Sequence, residues 1–165
     1  MAATKTRTKI QFIPLFISIL ITQAVGIASA YFTQPEVEGW YRTILKPPIT
    51  PPDWVFAPVW TIIYIMIGIS AYMVWVRGDS SSSYKTARAV YVLQLFLNFM
   101  WAFIFFGMHQ IFGGMIETIL LWLAIIANMI CFFRFSRIAG WLFVPYLLWV
   151  SFSVVINIWL FLLNR

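Results

Sequence analysis

Charge is scarce in this chain, acid is scarcer, and metal-binding side chains are almost missing. Only 10% of its 165 residues are charged, against roughly 25% in a soluble domain, and no water-soluble domain can be fitted to any part of it. A single cysteine, Cys131, excludes an intrachain disulfide and a thiolate metal cluster. One histidine and five scattered acids leave no helical His/Glu pair spaced to hold zinc or iron. Glu117 is the one acid within the apolar runs, so there is no series of carboxylates for a proton relay, which argues against a pump. Internal repeats and helices broken at mid-length, the marks of many secondary transporters, are also lacking. No activated acid, base or nucleophile stands out, so no catalytic residue and no metal ligand is assigned.

What is present is apolar length. Residues 11–32, 56–76, 87–107, 112–134 and 139–163 form five runs, each long enough for the ~20 helical residues that cross a bilayer. They lack the short alternating pattern of a barrel. The fold class is therefore all-α, an integral membrane protein in which residues 1–165 form one domain of five transmembrane helices. Its solvent partner is the lipid bilayer. The net charge of +6 does not point to nucleic acid, because the bases sit at the ends of apolar runs rather than on one polar face. Lys5, Arg7, Lys9, Arg77, Lys85, Arg88, Arg134 and Arg137 fall on one side, against Arg42, Lys46 and Arg165 on the other. By the positive-inside rule the N-terminus is inside and the C-terminus outside. The bases before an apolar run that ends at Ala28-Ser29-Ala30 look like a signal peptide. That run exceeds the usual core of about 7–15 residues, so it is read as an intact span. The short chain, without a basic tail or transit peptide, points to a bacterial inner (plasma) membrane.

The connections are short except for 33–55, where Pro47, Pro48, Pro51, Pro52 and Pro58 stiffen a segment rich in tryptophan. Trp and Tyr favour the membrane interface, so this loop reads as a rigid aromatic cover over the bundle. Within the spans, side chains three or four apart share a face. Ser18, Thr22, Gly26 and Ala30 make a small-residue stripe, suited to close helix packing inside the bundle or to an oligomer interface. Trp60, Tyr64 and Gly68 share a second stripe, Gln94, Asn98 and Trp101 a third, and Trp149, Ser153 and Asn157 a fourth. Polar groups in lipid face protein or a cavity. Three stripes that each combine Trp with hydrogen-bonding groups predict a small-molecule pocket with aromatic walls, although cross-helix hydrogen bonding alone also accounts for any one of them. Glu117, Leu121, Ala124 and Asn128 form a polar side on the fourth span, where Glu117 reads as an interfacial carboxylate reaching water.

Three ordered motifs carry a resemblance: W-Y-x-x-L-x-K-P-x-x-x-P-P-x-W-V-F-x-P-V-W-x-x-x-Y from Trp40 to Tyr64, Q-L-x-L-N-x-x-W-x-x-I-F-F-G from Gln94 to Gly107, and P-Y-L-x-W from Pro145 to Trp149. Together they resemble the tryptophan-rich sensory protein/translocator protein (TspO/MBR) family over essentially the whole chain. The resemblance implies a five-helix bundle, often a homodimer, that binds porphyrins such as protoporphyrin IX, sterols and benzodiazepine-type drugs beneath the first loop, with no obligatory cofactor. It implies a receptor or sensor of tetrapyrroles, with transport and light-dependent porphyrin breakdown as alternatives. By motif match the binding residues would be Trp40, Lys46, Ile49, Phe56, Ala57, Val59, Trp60, Tyr64, Asn98, Trp101, Leu120, Trp149, Ser153 and Ile156. Trp149 would be the ring wall and Asn98 a polar handle. Lys46, with Arg42, would meet a propionate or a lipid phosphate. Ile49 stands where many members carry the Trp linked to porphyrin breakdown, which argues against that activity. Ile158 and Leu162 replace the Tyr and Arg of the sterol-associated pattern, and Ala89 followed by Leu93 breaks a small-residue pairing motif.

Overall fold

Pro35 does not end the first helix. In the computed structural model, which describes residues 10–165, α1 runs Phe12–Glu38 and carries this proline in its final turns. A proline forfeits one backbone bond, and here tertiary contact holds the final turns instead, through Glu36 Oε2 at 2.9 Å from His109 Nε2. The predicted 33–55 loop therefore shrinks to residues 39–52, with one 3₁₀ turn at Trp40–Arg42.

The other helices are α2 (Asp53–Trp75), α3 (Ser82–Ala102), α4 (Ile111–Phe133), α5 (Arg137–Leu142) and α6 (Val144–Leu163). Two of them start earlier than the apolar pattern suggests, because polar residues open them. Asp53 sits in the first turn of α2 after Pro52, where a negative charge suits the helix dipole. Ser81 caps α3 by accepting the Tyr84 N–H at 3.2 Å. Five spans result, the fifth being α5 and α6 joined at Phe143, with Pro145 in the first turn of α6. Among the described residues there is no strand. The end of α3 widens into a π turn at Phe103–Gly107, a device that reorients side chains. It places Phe105 and Phe106 in the interior.

The helices form a ring. α2 packs on α1, α1 on α3, α3 on α4, and α4 on α5 and α6, while α5 meets α2. There Ser70 Oγ donates to the Ala139 carbonyl at 2.7 Å. The N-terminal end of α1 sits with the 76–81 and 134–136 turns, since the Gln11 N–H donates to the Tyr72 hydroxyl at 2.8 Å. The opposite end gathers the 39–52 loop, the turn at 108–110 and the C-terminus. The described bases divide as expected, with Arg77, Lys85, Arg88, Arg134 and Arg137 at one end and Arg42, Lys46 and Arg165 at the other. Lys5, Arg7 and Lys9 lie outside the described residues.

Packing inside the bundle explains the small-residue stripe of α1. Ser18 Oγ donates to the Gly68 carbonyl at 2.8 Å and Thr22 Oγ1 to the Tyr64 carbonyl at 2.7 Å, and both side chains are buried. A Cβ on Gly26 would lie 2.5 Å from the Tyr64 ring, and one on Gly68 would lie 2.7 Å from the Ile19 Cα. Close backbone approach drives association where lipid removes the hydrophobic contrast. Gly68→Ala should therefore push α1 off α2 and lower stability by about 1–3 kcal/mol, read as a drop in melting temperature of the detergent-purified protein.

Candidate functional site

The interior is organised by a relay of hydrogen bonds across three helices. The Tyr64 hydroxyl on α2 donates to Asn98 Oδ1 on α3, and Asn98 Nδ2 donates to the Tyr146 hydroxyl on α6 at 2.9 Å. All three side chains are buried, so both amide functions of Asn98 are engaged and the residue serves first as a node. Aromatic rings wrap this relay. Trp60 stacks on Tyr64 with centroids 5.5 Å apart and meets Tyr146 edge-on at 6.0 Å. Phe56 meets Trp149 edge-on at 6.0 Å. Val59 and Trp149 pack against the same core. The Trp149 indole N–H is buried without a partner, a state it shares with the Trp101 indole and the side-chain amides of Gln94 and Asn128, and unpaired buried groups of this kind are uncommon in native proteins.

A second cluster lies towards the loop. Trp101 stacks on Phe105 with centroids 5.2 Å apart, and Tyr41, Phe106, Ile156 and Leu160 complete it with Trp40 against its edge. Over it the loop is fastened at two points. The Leu45 N–H donates to Asn164 Oδ1 and Asn164 Nδ2 donates back to the Leu45 carbonyl, both at 2.9 Å. Trp40 stacks on His109 at 4.5 Å, and His109 meets Glu36 as above. Lys46 Nζ lies 4.2 Å from the centre of the Tyr41 ring, a cation–π contact at the rim.

The sequence-derived residues thus separate. Phe56, Val59, Trp60, Tyr64, Asn98 and Trp149 come together around the relay, whereas Trp40, Trp101 and Ile156 join the loop-side cluster. Lys46 stands at the rim, and Ile49 is 44% exposed on the loop. Arg42 is exposed and paired with Glu38 at 3.9 Å, an arrangement worth little in water. Ser153 turns its hydroxyl back to the Trp149 carbonyl at 2.9 Å. Four residues stand elsewhere than the sequence suggests. Leu120 is 49% exposed on an outward stripe of α4 with Phe112, Ile116, Leu123 and Ile130, because the buried face of α4 is turned through Glu117, Leu121 and Asn128. Ala57 likewise points out of the bundle. Gly68 serves the contact with α1, so it belongs to no pocket wall. Glu117 does not reach water: it is 5% exposed, and both carboxyl oxygens lack partners.

Tyr146 was not assigned a role by the sequence reading, although it stands inside the P-Y-L-x-W motif. A hydroxyl in an apolar span, one turn before Trp149, was the available signal, since such a group needs an internal partner. His109 and Asn164 gave no comparable signal. They bond to segments far away in sequence, and the left-handed backbone of His109 (φ 54°) belongs to a turn.

Comparison with known proteins matches residues 18–162 to the model of the TspO/MBR family. The chain is 38% identical to the tryptophan-rich protein TspO of Archaeoglobus fulgidus, over 91% of this chain and 96% of the relative. It is also 38% identical to the protein of that name from Chlorobaculum tepidum, over 93% and 98%. The translocator protein of Bos taurus is 32% identical over 84% of this chain and 82% of its own length.

Two outcomes follow from this geometry. Tyr64→Phe and Tyr146→Phe should each lower stability by about 1 kcal/mol, with a non-additive part near ~0.6 kcal/mol because they share Asn98. Thermal melts of the singles and the double variant check both. Outside the spans, burial and to a lesser degree the Asp53 carboxylate push the Tyr41 phenol from 10.0 up to about 12. A raised folded pKa means that Tyr41 stabilises the loop fully below pH 10.0 and loses that contribution as pH climbs to about 12. The tyrosinate absorbance difference between wild type and Tyr41→Phe should accordingly develop only at the top of that range.

Proposed function

The chain belongs to the TspO/MBR family, and from that premise we propose that it is a membrane receptor for flat apolar ring ligands, porphyrins such as protoporphyrin IX foremost. It is a multi-pass membrane protein of a family that includes tryptophan-rich sensory and translocator proteins. In this reading it sits in a bacterial plasma membrane with the N-terminus inside and the 39–52 loop outside.

The supporting observation is the ring of aromatic faces around the Tyr64–Asn98–Tyr146 relay, combined with the buried, unpartnered Trp149 N–H. A macrocycle would cover Trp60, Phe56 and Trp149, and an acceptor on it would take the indole proton, restoring a hydrogen bond where leaving one unmade is costly. Lys46, moving off Tyr41, would meet a carboxylate at the rim. The chemistry is recognition. The side chains gathered here offer aromatic surface, neutral hydrogen-bonding groups and a rim cation, so a sensing or regulatory role in tetrapyrrole handling fits them best.

A dark titration of the purified protein with protoporphyrin IX, followed by tryptophan fluorescence, is the test. Wild type should quench saturably, and Trp149→Leu should bind about tenfold more weakly, equivalent to about 1.4 kcal/mol. Unsaturable quenching that is identical in both proteins would mean partition into detergent and would remove the porphyrin assignment.

A further inference from the structure

The ring of helices has one seam. Among the long helices the neighbours α1 and α2, α1 and α3, α3 and α4, and α4 and α6 pack directly, whereas α2 and α6 are brought into the same ring through α5 at one end. Between them runs a groove of about 450 Å³, bordered by Ile62, Ile63 and Met66 of α2 and Leu148, Trp149 and Phe152 of α6. Two ring pairs cross it, Phe56 against Trp149 and Trp60 against Tyr146. Both flanking helices are membrane spans, so the groove opens sideways into hydrocarbon. Its border is apolar, and the polar relay lies immediately behind it.

The other approach is shut. The loop is bolted to the C-terminus through Leu45 and Asn164 and to the α3–α4 turn through Trp40, His109 and Glu36. Beneath it Tyr41, Phe105 and Phe106 are almost wholly buried. Passage from water would break these hydrogen bonds and part this cluster, whereas the bilayer side meets an apolar border and two edge-to-face ring contacts.

We propose that the α2–α6 seam is the door of the site: an apolar ring ligand dissolved in the bilayer slides in sideways, with Trp149 and Phe56 as the leaves that swing. This rests on the ligand-binding reading above and adds to it the route and a gating role for Trp149. The ligand class is narrowed as well. Molecules that partition into hydrocarbon reach the site, and a strongly polar analogue of similar shape is kept out because it cannot cross the apolar border.

The test uses the full-length protein in phosphatidylcholine vesicles, mixed with vesicles carrying protoporphyrin IX, with quenching followed in time. Leu148→Trp fills the groove and should slow both association and dissociation by about tenfold, while Asn164→Ala, which loosens the loop, leaves association at the wild-type rate. An unchanged rate in Leu148→Trp together with faster association in Asn164→Ala would overturn the door. A second measurement needs no porphyrin. Phosphatidylcholine bearing a mid-chain diazirine should, on photolysis, label Met66 and Phe152 more heavily than the lipid-facing Ile116, Leu123 and Ile130 of α4, and Leu148→Trp should abolish the excess. Labelling no heavier at the seam than on α4 would also overturn it. Absence of saturable porphyrin binding in wild type would instead strike the receptor reading, leaving the labelling to decide whether the seam admits a hydrocarbon chain.

Discussion

The hydrogen bonds that run from Tyr64 through Asn98 to Tyr146 hold the centre of this molecule, because the bilayer supplies no water to replace them. Three helices from distant parts of the chain each contribute one partner. The relay fixes their separation, and the separation fixes where Trp60, Phe56 and Trp149 can stand. An aliphatic core would hold the same helices without specifying their rotation, whereas a polar group in lipid accepts only orientations in which its partner is met. The aromatic surface around the relay is thus a consequence of satisfying these groups.

Packing then divides the bundle into a tight side and an open one. On the tight side, Gly26 and Gly68 bring α1 against α2, and the hydroxyls of Ser18 and Thr22 bond to α2 carbonyls across the contact. Tyr64 belongs to both worlds, since its carbonyl and ring face α1 while its hydroxyl reaches α3. On the open side, α2 and α6 carry large apolar and aromatic side chains at the positions that face each other, and these hold the backbones apart. Contact with α1 at one face of α2 and a gap at another follow from the same rule, that helix approach in a membrane is limited by side-chain size.

Much of the architecture was legible along the chain. The apolar runs located five spans, and the reason is solvent: about 20 apolar residues are needed to cross hydrocarbon whatever the tertiary fold. Helix ends were less legible. Pro35 and the openings at Asp53 and Ser82 lie where caps and distant contacts outweigh hydropathy. The aromatic and polar stripes identified Trp60, Tyr64, Asn98 and Trp149 as residues of interest, because an Asn or a Tyr hydroxyl in a span must turn inward. Leu120 and Ala57 could not be placed in the same way, since an apolar side chain is at ease facing lipid or protein and carries no directional signal. Glu117 departs from its expected place for another reason. Its nearness to the end of the span suggests water, but it lies on the inward face of α4 with Thr118, Leu121 and Asn128.

By itself, then, the sequence determined the solvent, the number of spans, the grouping of the described bases at the two ends, and the membership of a family marked by three ordered motifs. The tertiary structure alone decided that Asn98 is engaged at both ends, that Trp101 and Ile156 join a cluster apart from Trp149, that the loop is bolted at Asn164 and His109, and that the ring of helices opens between α2 and α6. Periodicity along a helix tells which residues share a face, and the hydrocarbon tells which faces must be hidden. The rotation and neighbours of each helix arise from contacts between residues tens of positions apart, which no local pattern encodes.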